Sequence, residues 1–288
     1  MSDDATSLDP ALETIAVVGV GLIGGSIAAA VKERRMAERV IGIGRDAQRL
    51  EAACDAGLLD RYDTKPRAAA EADLAIVCTP VDRIVDDVSA VAAHLRPGGL
   101  VTDAGSVKTV ICRAVSRLEL PAGVTFIGAH PLAGSEKAGW EHADAGLFEG
   151  RICVVAPTED APVADCTRVE TFWLNLGMRV VRMSPESHDR ALGFTSHLPH
   201  VVAAALASLL TDDVQHLAST GFRDTTRVAG GDARLWTAIF LNNPEPLTED
   251  IDRFIERLIE LRTAIDEGDE ERLRELLTRA STQRRRLD

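Results

Sequence analysis

The sequence predicts an α/β protein in which a doubly wound, mostly parallel sheet precedes an all-helical C-terminal domain. Up to Ser184, short apolar runs alternate with helical stretches, and beyond it the long segments have helical spacing only. The chain has 288 residues, which suits two domains. We therefore predict one domain over residues 1–184 and a second over residues 185–288.

Apolar runs bounded by turn residues are predicted as strands, and the segments between them as helices. The predicted strands are Thr14–Gly19, Arg39–Gly44, Asp73–Thr79, Gly99–Asp103, Val124–Ala129, Ile152–Ala156 and Arg179–Met183. The predicted helices of the first domain are Leu22–Arg35, Asp46–Ala56, Val81–Leu95, Val107–Leu118 and Pro162–Leu176. Those of the second are Glu186–Leu210, Val214–Thr220, Ala233–Asn242, Pro246–Glu267 and Glu270–Arg285.

Composition excludes several classes of partner. The net charge of -13 argues against a nucleic-acid-binding protein, which needs a basic face. The five cysteines form no C-x-x-C pair, no run is long enough for a membrane span, and Met1–Glu13 lacks the features of a secretion signal. We therefore expect a cytoplasmic protein that acts on a small molecule.

A glycine-rich turn follows the first predicted strand and precedes the first predicted helix. It reads G-x-G-x-x-G over Gly19–Gly24. In a Rossmann-like domain these glycines allow a tight turn, a close approach to the pyrophosphate and close packing of helix on strand. We predict that this loop binds a dinucleotide through Gly19, Gly21, Leu22, Ile23 and Gly24.

The end of the second strand indicates which dinucleotide is bound. NAD enzymes usually carry an acidic residue there to bind the ribose 2′-hydroxyl. Here Gly44 occupies that position and Arg45 follows, which favours the 2′-phosphate of NADP. Asp46 keeps NAD open, although it can also be the N-cap of the next helix. Thr79, Pro80 and Asp103 end later strands and are predicted near the cofactor.

Five segments, in this order and spacing, resemble the prephenate/arogenate dehydrogenase family of tyrosine biosynthesis. They are Gly19–Ser26, Asp103–Lys108, Gly128–Glu136, Thr195–His200 and Gly221–Ala229. The resemblance covers nearly the whole chain. It implies an oxidoreductase that transfers a hydride from the carbon bearing the ring hydroxyl to NAD(P), while the ring carboxylate leaves as carbon dioxide and the ring becomes aromatic. It implies no metal.

The resemblance also assigns the candidate catalytic residues. His130 follows an apolar strand and matches the family's catalytic histidine, which takes the hydroxyl proton. Ser106 matches a position that bonds the substrate or orients that histidine. From the residues alone, Ser106 is equally an N-cap for a helix starting at Val107.

Further residues are assigned to substrate binding. His200 contacts the substrate by resemblance, with His197 close by, and His188 is a lesser position beside Asp189. Pro199 can mark either a kink or the first turn of a new helix. Two histidines three residues apart could suggest a metal, but the segment offers no third ligand, so we expect none.

Arg227 is the predicted partner of a substrate carboxylate, because a guanidinium binds a carboxylate through two hydrogen bonds. Asp224 and Glu136 are candidate partners of Arg227. The remaining predicted substrate-binding residues are Ser135, Glu136 and Trp236, the last with core packing as its alternative.

The sequence leaves the substrate open between prephenate, which we favour, and arogenate, whose ammonium Glu136 could bind. A related hydroxyacid or imine reductase would carry a Lys in the first interdomain helix, and Glu186–Leu210 has none. A non-catalytic NADP-binding sensor would not need the histidines and Arg227 together. Apolar stripes on the last helices predict a homodimer.

Overall fold

The computed structural model describes residues 12–135 and 137–287, so Glu136 and most of the N-terminal segment Met1–Glu13 lie outside the described residues. The described chain contains an eight-stranded sheet of order β3-β2-β1-β4-β5-β6-β7-β8. Its strands are β1 Leu12–Val18, β2 Ala37–Ile43, β3 Arg61–Asp63, β4 Leu74–Val77, β5 Leu100–Asp103, β6 Thr125–Pro131, β7 Ile152–Ala156 and β8 Arg179–Arg182. All neighbouring strands are parallel except β6 and β7. The predicted doubly wound, mostly parallel sheet is confirmed.

Helices cover both faces of the sheet and then form the C-terminal region. The helices among the strands are α1 Leu22–Glu33, α2 Ala47–Asp55, α3 Ile84–Ala92, α4 Thr109–Val115 and α5 Val163–Asn175. Those after β8 are α6 Pro185–Leu192, α7 Leu198–Ser208, α8 Thr220–Thr226, α9 Ala233–Asn242, α10 Pro244–Asp266 and α11 Glu270–Arg284. The helical C-terminal region is therefore as predicted.

Four elements differ from the sequence prediction. The predicted helix Val214–Thr220 is instead a short 3-10 turn at Gln215–Leu217, followed by α8. The short strand β3 and the helix α8 were not predicted, since neither has an apolar periodicity. The segment predicted as one helix over Glu186–Leu210 is interrupted by a π-helical turn at Gly193–His197. Pro199 lies in the first turn of α7, one of the two alternatives left open.

Strand residues alternate between two buried apolar clusters, one on each face of the sheet. Ile15 and Val17 pack with α1 and α5, whereas Ala16 and Val18 pack with α3 and α4. A strand buried on both faces explains why the runs read as continuously apolar rather than alternating. Ile239 of α9 belongs to the second cluster, so the helical region packs directly against this face.

Helix α10 leaves apolar side chains at the surface of the described chain. Those at least two-fifths exposed are Ile255, Leu258, Ile259 and Ile265. Among the described helices, none is both long and apolar enough to cross a membrane.

Candidate active site

A large cavity opens at the carboxyl ends of β1, β2 and β4. Its volume is about 1080 Å³. Seven of the predicted cofactor residues line it: Gly19, Gly21, Gly44, Arg45, Asp46, Thr79 and Pro80. Leu22, Ile23 and Gly24 form the first turn of α1 beside it. This is the edge of a parallel sheet at which ligands bind.

The three motif glycines meet three different steric demands. Gly19 has a φ of 89°, and a Cβ there would lie 2.8 Å from Cγ2 of Thr79. A Cβ on Gly24 would lie 2.3 Å from the carbonyl oxygen of Gly19. A Cβ on Gly21 would meet no atom within 4 Å. Gly19 and Gly24 are thus required by the fold, whereas the space beside Gly21 is open.

The far end of the cavity is lined by Gly44, Arg45 and Asp46. Asp46 is the N-cap of α2 and accepts a hydrogen bond from the backbone N–H of Arg49 at 3.2 Å. This is the second of the two roles predicted for Asp46 from the sequence. Arg45 is exposed, and within residues 12–135 and 137–287 it has no ion-pair partner. The guanidinium is therefore free to meet an anionic group.

Thr79 provides a further sign that the cavity is built for a polar ligand. Its Oγ1 is buried and has no hydrogen-bond partner among the described residues. An unpaired buried hydroxyl is costly unless a ligand or water satisfies it. Together with the space beyond Gly21, it makes the cavity a fit for a dinucleotide.

Asp103 lies elsewhere, in a fully buried ion pair with Lys108. One carboxylate oxygen accepts from the backbone N–H of Ala129 at 3.0 Å, while Nζ of Lys108 donates to the carbonyl of Ala129 at 2.8 Å. The other oxygen accepts from Gly105 and Lys108. The pair thus holds both backbone groups of the residue before His130, and the predicted contact of Asp103 with the cofactor stays a prediction.

His130 lies at the end of β6 and begins a chain of hydrogen bonds. Its Nδ1 is 2.8 Å from Nε2 of His188, and Nδ1 of His188 is 2.8 Å from Oδ1 of Asp189. A carboxylate only accepts, so His188 carries its hydrogen on Nδ1 and presents an unprotonated Nε2. His130 then donates from Nδ1, which leaves its Nε2 with a free lone pair.

The pKa values agree with neutral histidines. Burial lowers the pKa of His130 well below its ordinary value, and positive charge at His188, Lys108 or His197 lowers it further. Burial also lowers the pKa of His188, although the hydrogen bond to Asp189 opposes this. The ring of His130 is therefore neutral at pH 7, and the lone pair on its Nε2 can accept a proton.

Asp189 joins the helical region to the nucleotide-binding part of the chain. Besides bonding His188, its carboxylate accepts from the backbone N–H groups of Lys108 and Thr109 at 2.7 and 2.8 Å. Burial alone would raise the pKa of Asp189, but these hydrogen bonds hold it below the ordinary value. Asp189 is thus the cap of α4, and the alternative reading of Ser106 as that N-cap is wrong, because α4 begins at Thr109.

His197, His200 and Trp236 form a neighbouring aromatic cluster. The rings of His200 and Trp236 stack with centroids 3.6 Å apart, and His197 meets Trp236 edge to face at 6.4 Å. A Cβ on Gly231 would lie 2.7 Å from Nε1 of Trp236, so glycine is needed there. Nδ1 of His200 is buried and lacks a partner within the described residues.

Among the described residues, three predicted site residues make no hydrogen bond or ring contact to this cluster. Arg227 is exposed on a short helical turn that packs against α7 and leads to Gly231. Ser135 is exposed and accepts from the backbone N–H of Lys137 at 3.2 Å. Ser106 is half-buried, two residues before Lys108. Their predicted roles, and those of the other site residues, stay predictions.

Lys108 and Asn243 were missed by the sequence reasoning. Lys108 is the last residue of the family segment Asp103–Lys108, so membership of that segment could have indicated a role at the site. No neighbouring residues in the sequence indicate a role for Asn243. Over the described part of the chain, no group of three or more His, Cys, Asp or Glu side chains could hold a metal ion.

Comparison with known proteins gives a consistent result. Residues 27–182 match the prephenate dehydrogenase nucleotide-binding domain, and residues 184–279 match the prephenate dehydrogenase dimerization domain. Prephenate dehydrogenase of Bacillus subtilis is 33% identical over 269 residues, which cover 91% of this chain and 72% of that protein.

Solved structures give the same picture. Prephenate dehydrogenase from A. aeolicus, in complex with hydroxyphenyl propionate and NAD+, has a TM-score of 0.90 and 31% identity, covering 98% of this chain and 100% of its own. Arogenate dehydrogenase from Synechocystis has a TM-score of 0.83 and 32% identity, covering 96% and 100%.

Substitutions at Gly21 and Gly24 can distinguish an effect on cofactor binding from an effect on folding. Gly21→Ala should change the free energy of unfolding by less than about 1 kcal/mol. It should nevertheless weaken dinucleotide binding about tenfold or more, since the methyl group enters the ligand space. Urea unfolding and a binding titration measure the two effects.

Gly24→Ala is the matched control. Its methyl group would clash with the carbonyl of Gly19, so this variant should lose about 1–3 kcal/mol of stability. Unchanged dinucleotide affinity in Gly21→Ala would show that the open space is not the pyrophosphate site.

Proposed function

The chain belongs to the prephenate dehydrogenase family, and we propose that it converts prephenate to 4-hydroxyphenylpyruvate and carbon dioxide with NADP as hydride acceptor. The observation that carries this proposal is the hydrogen-bonded chain from Asp189 through His188 to His130. It leaves a basic nitrogen at the same sheet edge as the cofactor cavity, because β6 runs parallel to β5, β4 and β1.

The proposed reaction assigns each residue one task. Nε2 of His130 accepts the proton of the ring hydroxyl while the hydride leaves the carbon that bears it. The bond to the ring carboxylate breaks, carbon dioxide leaves, and the electrons of that bond complete the aromatic ring. The proton then returns from His130 to the phenolate oxygen of the product. A bound nicotinamide supplies the hydride acceptor. Arg227 would bind a substrate carboxylate, with Ser106, His197, His200 and Trp236 lining the substrate site.

We favour prephenate over arogenate because, apart from Glu136, the sequence shows no additional acidic residue that would bind the ammonium group of arogenate. The keto and amino groups that distinguish the two substrates lie away from the ring hydroxyl that His130 binds, so the carboxylates beside His130 do not bear on this choice.

NADP is proposed because the acidic residue that could bind a ribose hydroxyl is already used. Asp46 caps α2, Gly44 has no side chain, and Arg45 is exposed at the cavity. A guanidinium in this place suits a 2′-phosphate.

The remaining proposals concern assembly and location. We propose that residues 1–184 bind the dinucleotide and that residues 185–288 form a substrate and dimerisation domain. The exposed apolar residues of α10 support a homodimer. The five cysteines are free, which is in keeping with a cytoplasmic protein.

A four-way initial-rate assay tests the substrate and the cofactor together. Prephenate or arogenate is supplied with NAD or NADP, and absorbance of the reduced cofactor is followed. We expect the highest kcat/KM with prephenate and NADP. A higher value with arogenate or NAD would reverse the corresponding assignment. If the protein binds the dinucleotide but reduces it in none of the four combinations, the result would favour a sensor and contradict the proposed function.

His130→Asn should lower kcat about a hundredfold or more, because the amide cannot take the hydroxyl proton. Dinucleotide affinity should stay unchanged. In the native enzyme the lowered pKa of His130 keeps it unprotonated as pH falls, so the acidic limb of kcat should lie below the ordinary histidine value of 6.5.

The matched control is His94→Asn, since His94 is exposed and does not line the cofactor cavity. It should leave both kcat and its pH profile unchanged. Full turnover by His130→Asn would remove His130 as the base.

A further inference from the structure

Asn243 is a buried residue between α9 and α10 whose amide bridges two parts of the helical region. It is 3% exposed. Its Nδ2 lies 2.7 Å from the backbone carbonyl oxygen of Asp189 and 3.2 Å from Nδ1 of His197. A carbonyl oxygen only accepts hydrogen bonds, so the contact with Asp189 fixes which end of the amide faces inward.

This orientation determines the state of the His197 ring. With Nδ2 held against the carbonyl of Asp189, its second hydrogen points to Nδ1 of His197. That ring nitrogen must then be the acceptor, so the ring hydrogen lies on Nε2. A proton on Nδ1 of His197 would face the N–H group of Asn243, and two donors cannot form a hydrogen bond with each other. Burial is the main cause of a lowered pKa at His197, because it disfavours the charged ring, and this pKa falls to about 4.

The π-helical turn Gly193–His197 belongs to the same arrangement. His197 is the last residue of the turn and is 1% exposed. A Cβ on Gly193 would lie 3.3 Å from Cβ of Pro246 and 3.5 Å from Nδ2 of Asn243. Glycine therefore lets this turn pack against the start of α10, where Asn243 is found. Such turns often occur at functional sites.

We propose that Asn243 is a positioning residue that holds His197 as a neutral donor with its hydrogen on Nε2. Within residues 12–135 and 137–287, Nε2 of His197 has no hydrogen-bond partner. A donor of this kind can bond an oxygen of the substrate but cannot take its proton. The base is then His130 alone, and His197 binds and orients. The substrate contact, but not the tautomer, rests on the proposed function.

The first test needs no substrate and no variant. Nitrogen-15 NMR of protein labelled at histidine, with the His197 signals assigned, reports which ring nitrogen carries hydrogen. At pH 7 we expect His197 with hydrogen on Nε2 and none on Nδ1. Hydrogen on Nδ1 in the native protein would overturn the proposal. This readout is independent of the four-way assay, so failure of the proposed function is distinguishable from failure here.

Asn243→Asp is the informative variant, since it replaces the donor with an acceptor of nearly the same size. We expect the His197 hydrogen to move to Nδ1 and the pKa of His197 to rise. kcat/KM should fall about tenfold or more, as for a lost oriented hydrogen bond, with dinucleotide affinity unchanged. An unchanged His197 tautomer in a folded Asn243→Asp protein would also overturn the proposal.

Asn242→Asp is the matched control. The amide of Asn242 donates to the carbonyl of Ala238 at 2.7 Å, within one helix, and in the described part of the chain it makes no hydrogen bond to a histidine. This variant should leave the His197 tautomer and kcat/KM as they are in the native protein. A shift of the tautomer in Asn242→Asp equal to that in Asn243→Asp would show a non-specific effect and contradict the assignment.

Discussion

The side chain and the backbone carbonyl of Asp189 accept hydrogen bonds from five groups: the N–H groups of Lys108, Thr109 and Gly193, His188 Nδ1 and Asn243 Nδ2. Two of these donors begin α4 and the other three belong to the helical region. The position of one region on the other and the arrangement of the histidines therefore depend on the same residue. A buried carboxylate that lost these donors would be strongly destabilised, so the arrangement is cooperative.

The two acceptor groups of Asp189 act on two histidines in opposite ways. Its carboxylate orders His188, and through it gives His130 a free lone pair on Nε2. Its backbone carbonyl orders Asn243, which leaves His197 with hydrogen on Nε2. In the proposed mechanism, two chemically identical rings are a base and a donor, because Asp189 reaches His130 through an imidazole and reaches His197 through an amide. The Asp103–Lys108 pair adds a third constraint, since it holds the backbone of Ala129 immediately before the base.

Features set by local sequence could be predicted. The glycine loop, the long strands and helices and the motif around His130 all carry their signal within a few residues. Contacts between distant residues could not. Asp189 caps α4 from 81 residues away, which is why Ser106 was a reasonable but wrong candidate for the cap. Asn243 meets Asp189 across 54 residues, and β3 is only three residues long without an apolar pattern. Such roles follow from packing, which periodicity does not reveal.

Replacing Asp189 by Asn tests the central role of this carboxylate most directly. The amide keeps the size but removes the charge and one acceptor, so His188 loses its fixed tautomer. We expect kcat to fall about a hundredfold or more, as for other buried carboxylates that orient a catalytic histidine, with dinucleotide affinity nearly unchanged. Glu186→Gln, which alters only the exposed ion pair with Arg113, is the control on the same helix. A folded Asp189→Asn enzyme with kcat within about twofold of the native value would contradict the account.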